Sequence, residues 1–277
     1  MLSLSKRVHE VWLVTLMAGF MSKNESKLKL YDMSDIIFRH FTWIENDLIK
    51  SKIDYDYDRD MIPVKVEKLS IILNDINLRL STIELELIKL DDRDLAERVN
   101  SDIKYMRFLL SSLPEESVTA FNTQRKLDNI ELNEEATDAL TLFLFEESYK
   151  EYELIMIYNY LKANSTDAFL NRIFNILIDE SFFHLKSFGD MMAKMGILGV
   201  PRVIHKELYK VTNVVEFLKD GINEELLAKE ECKKLADAVS NDSQELAKFF
   251  DFINYQENYH IALMKEALEY YTKEKNV

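Results

Sequence analysis

Cysteine occurs once, at Cys232. One thiol can form neither an internal disulfide nor a four-cysteine zinc or rubredoxin site. A single free thiol also suits a reducing cytoplasm. Proline and glycine are scarce, at three and five in 277 residues. Both break helices, so their scarcity, beside abundant Leu, Glu, Lys and Ile, argues for an all-α chain and against a sheet-rich one. Positive charge is outnumbered: 35 Lys and Arg face 49 Asp and Glu, a formal charge of -14. A surface that acidic repels phosphate backbones, and no basic patch interrupts it, so no nucleic-acid partner is expected. Long apolar runs are missing. Val11–Met21 follows Lys6-Arg7 and mimics a signal peptide, but His9 and Glu10 sit at its start and no small-x-small cleavage site follows. The run is too short to span a bilayer. The expectation is a cytoplasmic protein with no membrane partner.

What is present is helical periodicity. Residues 4–21 predict a first helix, apolar on most sides and therefore buried. Ser22–Lys29 reads as a loop, with N-cap chemistry at Asp32–Asp35 and a helix to about Ser51. Asp54–Asp60 is a charged connector. Pro63 then suits the first turn of a long third helix, with Val66, Leu69, Leu73, Ile76, Leu80, Ile83 and Leu87 on one stripe to about Leu90. A fourth helix, Arg93–Leu113, stops before Pro114. These four predict an up-and-down bundle over residues 1–113. Residues 114–132 are polar and weakly periodic, and read as a linker. The remainder, 133–277, predicts a second bundle. Its helices run over Asn133–Ala163, Thr166–Met195, Ile222–Val239 and about Asp242–Lys273, with a crossover of short pieces at 200–220.

Chemistry concentrates in that second half. On the last helix, Phe250, Ile253, Glu257, His260, Met264 and Leu268 share one face, so a carboxylate and an imidazole sit on a stripe that should be buried. Burying such a carboxylate alone is costly, and a bound cation is one compensation. On the second helix Ile173, Leu177, Glu180, His184 and Phe188 share a stripe. On the first, Glu147 lies mid-helix on the core face with Glu151 one turn on. On the third, Glu225 is the choice, with Glu231 and Glu224 behind it. One Glu from each of two helices and a Glu/His pair from each of the other two is the ligand pattern of di-iron and di-manganese bundles.

The order Glu147, Glu180 with His184, Glu225, then Glu257 with His260, together with the intervals between them, resembles the ferritin-like superfamily in the style of bacterioferritin and rubrerythrin. The resemblance covers residues 133–273. It departs in two respects: Glu180 and His184 are four apart, where the family usually has three, and the third-helix carboxylate is ambiguous among Glu225, Glu231 and Glu224. The resemblance implies a ferritin-like four-helix bundle with a crossover. It implies two iron ions, with manganese possible, held by Glu147, Glu180, His184, Glu225, Glu257 and His260. It further implies reaction with dioxygen or hydrogen peroxide and an external electron donor, since a single cysteine leaves no built-in rubredoxin. Ferroxidase or storage activity is one alternative. A non-enzymatic interaction protein with a vestigial site is another. A homodimer is compatible with either.

The first half reads as a diverged copy. It offers His9, Glu10, His40 and Glu45, but Asp102-Ile103-Lys104-Tyr105 stands where a duplicate would want Glu-x-x-His. His40 reads as a satisfied bundle histidine and His205 as a surface residue. Tyr149, Tyr152, Tyr158, Tyr255 and Tyr259 fall near the expected ligands.

Overall fold

The structure is a computed structural model and describes residues 1–63, 68–118 and 125–274. Among the described residues the chain is all-helical and forms no strand. The helices are α1 (Leu2–Met21), α2 (Asn24–Lys50), α3 (Leu69–Leu87), α4 (Arg93–Ser112), α5 (Glu134–Ala163), α6 (Ala168–Lys194), the single turn α7 (Lys206–Tyr209), α8 (Val214–Val239) and α9 (Gln244–Glu274). They fall into two compact units. Unit 1 is Met1–Thr123 with Gly196–His205; unit 2 is Gln124–Met195 with Lys206–Val277.

Side-chain caps set several helix starts in unit 2. Asn133, Asp167 and Asn213 each accept a hydrogen bond from a first-turn amide of α5, α6 and α8. Each cap satisfies an N–H that the helix itself cannot. α5 packs on α6 and α8, and α9 packs on the same two. Neighbours run antiparallel. Tyr158 near the end of α5 meets Phe217 near the start of α8, and Phe169 at the start of α6 meets Tyr270 near the end of α9. α6 and α8 are therefore diagonal and parallel. The link between them must return along the length of α6, ~40 Å for its 27 residues.

Unit 1 repeats this pattern. α1 packs on α2 and α3, and α4 packs on the same two. This corrects the up-and-down expectation, in which α2 would neighbour α3. The long second connection is the physical reason. It leaves α2 and α3 parallel on a diagonal, and extended chain covers that distance in far fewer residues than helix does. Pro63 accordingly lies outside any helix. α3 begins at Leu69, whose N–H donates to Glu116 O at 2.9 Å. Val66, also assigned to the third helix, lies outside the described residues. The run Val11–Met21 is buried on every side of α1, which explains its uninterrupted apolarity. No helix among the described residues is long and apolar enough to cross a membrane.

Two further helix starts differ from the expected ones. α2 begins at Asn24, because Glu25 and Lys29 pair at 2.8 Å and Ser26 and Leu30 are buried within what reads as a polar loop. α8 begins at Val214, eight residues early, because Asn213 caps it and Leu218 is buried. Gly221, which weakens the helical pattern, sits inside α8. A Cβ there would meet Met264 Sδ of α9 at 3.1 Å. Gly196–His205 belongs to unit 1, where Arg59 donates to the Pro201 carbonyl, so residues 200–205, read as the start of the second-half crossover, lie outside unit 2.

Candidate metal centre

The middle of unit 2 gathers acidic and imidazole side chains from all four long helices. From α5 come Glu147 and Glu151, from α8 Glu225, and from α9 Glu257 and His260, all buried. From α6 come His184, fully buried, and Glu180, partly exposed. Helical spacing produces this directly, since residues three or four apart share a face and that face is the apolar stripe. Of the three acidic candidates on α8, Glu225 is buried while Glu224 and Glu231 are exposed.

His260 is at the centre. Its Nδ1 lies 2.9 Å from Glu257 Oε2 and 3.4 Å from Glu225 Oε2, and its Nε2 donates to Glu180 Oε2. Donor atoms of Glu225, Glu257 and His260 all lie within 4.8 Å of one another, close enough to share one ion. His184 makes a looser set, which does not converge as those three donors do. Its Nδ1 donates to Glu151 Oε1 at 2.8 Å and lies 4.0 Å from Glu257 Oε1, while Nε2 donates to Gln256 Oε1 at 3.2 Å. The two imidazole rings are 5.8 Å apart. Glu257 thus stands between them, one oxygen toward each. Glu147 points to a different partner, accepting from Lys150 Nζ at 2.7 Å.

The electrostatics are those of a site short of positive charge. Burial alone would lower His184, but Glu151 and Glu257 outweigh it and push the ring up to about 9. Burial would likewise lower His260, yet its contacts with Glu180, Glu225 and Glu257 hold it far above the ordinary imidazole value. Glu257 is pushed up to about 8, first by burial and then by the neighbouring Glu225 carboxylate. Burial would raise Glu225 too, but Glu257 and His260 hold it below the usual carboxylate range. Burial raises Glu147 despite Lys150. Protons held by the imidazoles and by Glu257 are what offset the crowded carboxylates. Two carboxylate oxygens of the cluster, Glu151 Oε2 and Glu257 Oε2, are buried with no hydrogen-bond partner.

Sequence spacing puts Glu151 on the core stripe one turn after Glu147 but chooses Glu147 as the ligand, whereas it is Glu151 that meets His184. Gln256, which holds the other His184 nitrogen, lies beside the stripe of α9 and is missed. Of the tyrosines, Tyr152 and Tyr158 are buried, whereas Tyr255 and Tyr259 are exposed.

Beside the cluster, between α5 and α8, lies a cavity of about 220 Å³. Its lining includes Glu151, Glu225, Glu257 and His260 of the cluster, the charged Glu147, Lys150, Asp220 and Glu224, and apolar side chains such as Leu154, Phe217 and Met264.

The corresponding place in unit 1 is simpler. His40 stands as far into α2 as His184 into α6, and its Nε2 donates to Asp102 Oδ2 of α4 at 2.8 Å. His9 is buried against Trp12 and Phe41. Among the described residues of unit 1, no three His, Cys, Asp or Glu donors converge as Glu225, Glu257 and His260 do. His205 is exposed.

Comparison of this chain with known protein families, with curated proteins and with solved structures finds no match.

Proposed function

We propose that unit 2 is a carboxylate-bridged metal centre of the ferritin-like kind, binding two divalent ions, iron or manganese, and reacting with dioxygen or hydrogen peroxide. The observation that carries this reading is Glu257, which offers one oxygen to the Nδ1 side of each imidazole. A bridging carboxylate between two His-containing donor groups is what a pair of ions requires. The donor chemistry fits as well. Oxygen and imidazole ligands suit iron and manganese, and cations would take the place of the protons that now neutralise the cluster. The orphaned Glu151 Oε2 supplies an acceptor already stripped of water.

In this reading Glu225, Glu257 and His260 would hold one ion and Glu151, Glu257 and His184 the other, with Glu147 lining the same cavity. Glu180 and Gln256 then act on the far nitrogens, each accepting from an Nε2–H and fixing the ring so that Nδ1 is presented. Phe188 stacks on His184 and helps keep water out. Bound iron would supply electron transfer toward dioxygen or peroxide, recharged by an external donor.

The test is elemental analysis after anaerobic ferrous reconstitution. About two irons per chain are expected, and His260→Ala should lose most of them. A stoichiometry unchanged by that substitution rejects the assignment.

A further inference from the structure

The two imidazoles of the cluster are backed by different groups. Behind His260, Nε2 donates to the carboxylate of Glu180 on α6. Behind His184, Nε2 meets the carboxamide of Gln256 on α9 at 3.2 Å. A carboxylate only accepts, so Glu180 fixes one His260 proton on Nε2 and leaves Nδ1 to serve as the lone-pair donor. A carboxamide accepts through its oxygen and, turned over, donates through its NH2, so Gln256 holds the His184 tautomer less firmly. Glu151 Oε1, 2.8 Å from His184 Nδ1, draws a proton to the very atom an ion would need.

Charge divides the same way. Besides Glu180, His260 has Glu257 Oε2 at 2.9 Å and Glu225 Oε2 at 3.4 Å from Nδ1. His184 has Glu151 at 2.8 Å but Glu257 only at 4.0 Å. Among the described residues, donor atoms of Glu225, Glu257 and His260 converge closely enough to share an ion, and no such group includes His184.

We infer that the two metal positions are unequal: the one at Glu225, Glu257 and His260 is a tight, resident site that fills first, and the one at Glu151 and His184 is a weak, exchangeable site, with Glu180 and Gln256 as the positioning residues that set the difference. This rests on the metal-centre reading and specifies it, since at limiting metal each chain then holds one ion. A carboxylate behind a histidine ligand raises its basicity, and losing such a partner costs about ten- to a hundredfold in affinity. The second ion must also share Glu257 with a like charge already in place, which separates the steps further.

The experiment titrates zinc, redox-inert and diamagnetic, into the metal-free full chain. Calorimetry should resolve two steps, the first at least about tenfold tighter. Histidine ring resonances should show His260 shifting in the first step and His184 in the second. Glu180→Gln, isosteric at a partly exposed position, should weaken the first step about tenfold and leave the second within about twofold. Gln256→Glu should tighten the second step about tenfold, a gain that no loss of packing produces. That gain should vanish in a His184→Ala background, which separates ring positioning from added charge. Two equal steps, or His184 shifting first, overturn the inequality while leaving the metal centre standing. So does a first step indifferent to Glu180→Gln, a second step indifferent to Gln256→Glu, or a gain that persists without His184. Absence of any saturable zinc binding overturns the metal centre and this inference together.

Discussion

His184 pairs with Glu151 on the neighbouring helix α5 at 2.8 Å, while Glu180, one turn before it on α6, reaches across to His260 on α9. The Glu/His pair of α6 is thus split between two partners.

This split ranks the α5 carboxylates. Glu151→Ala should cost on the order of 3–5 kcal/mol, because it leaves a buried imidazolium without its partner. It should also bring the His184 pKa down from about 9 toward its ordinary value. Glu147→Ala breaks a pair with the half-exposed Lys150 and should cost about 1 kcal/mol or less. Urea unfolding and histidine NMR titration check both. Equal costs would remove Glu151 from the centre.

The metal-free chain should lose stability as pH rises. His184 has a folded value of about 9 against 6.5, so its contribution is complete below 6.5 and is lost as pH passes 9. Glu257, raised from 4.5 to about 8, has the same sign, since the folded chain holds the extra proton across that interval. Together they should lower the unfolding free energy by on the order of 5 kcal/mol between pH 6.5 and 9. Denaturant titrations at several pH values measure it, and a flat profile contradicts the cluster's charge balance.

Glu257→Gln separates stability from binding. Losing a charge that is costly above pH 8, the metal-free variant should be more stable than the parent at pH 9. Its affinity for ferrous iron or manganese should drop at least tenfold, since the bridging oxygen pair is gone. Parallel melts and metal titrations decide. A variant that binds metal normally would deny Glu257 its bridging place.

Unit 1 should respond to acid instead. Burial, aided by Arg59, lowers His9 to about 3, so the unfolded chain takes up a proton below 6.5 that the folded one refuses. Stability is therefore lost as pH falls from 6.5 toward 3. His9→Gln should flatten that slope, whatever it does to stability at neutral pH. Trp12 fluorescence, recorded against near-neutral controls, follows the unit that carries it.

Much of this was legible in the linear pattern. Asn133 and Asp167 announce α5 and α6, and the stripes carrying Glu147, Glu225, Glu257 and His260 bring buried groups together as their phase requires. What the pattern withholds is rotation and pairing between helices. Glu147 and Glu151 share one stripe, and nothing local says which of them meets the α6 imidazole; nor does anything in Glu180–His184 say they face different partners. The packing order of unit 1 was hidden for another reason. Helical periodicity does not report which helix lies beside which, and the connector's length outweighed the pattern of short loops elsewhere. Gly221 masked the true start of α8, because its role is close approach to Met264 rather than an ending.

The chain's excursion at Gly196–His205 makes unit 1 discontinuous. Arg59 finds its carbonyl only at Pro201, more than a hundred residues downstream. On the ribosome, the amino-terminal helices cannot reach their finished form until most of α5 and α6 has already emerged. A scission between the halves at the linker would leave one fragment missing a piece of wall and the other trailing it.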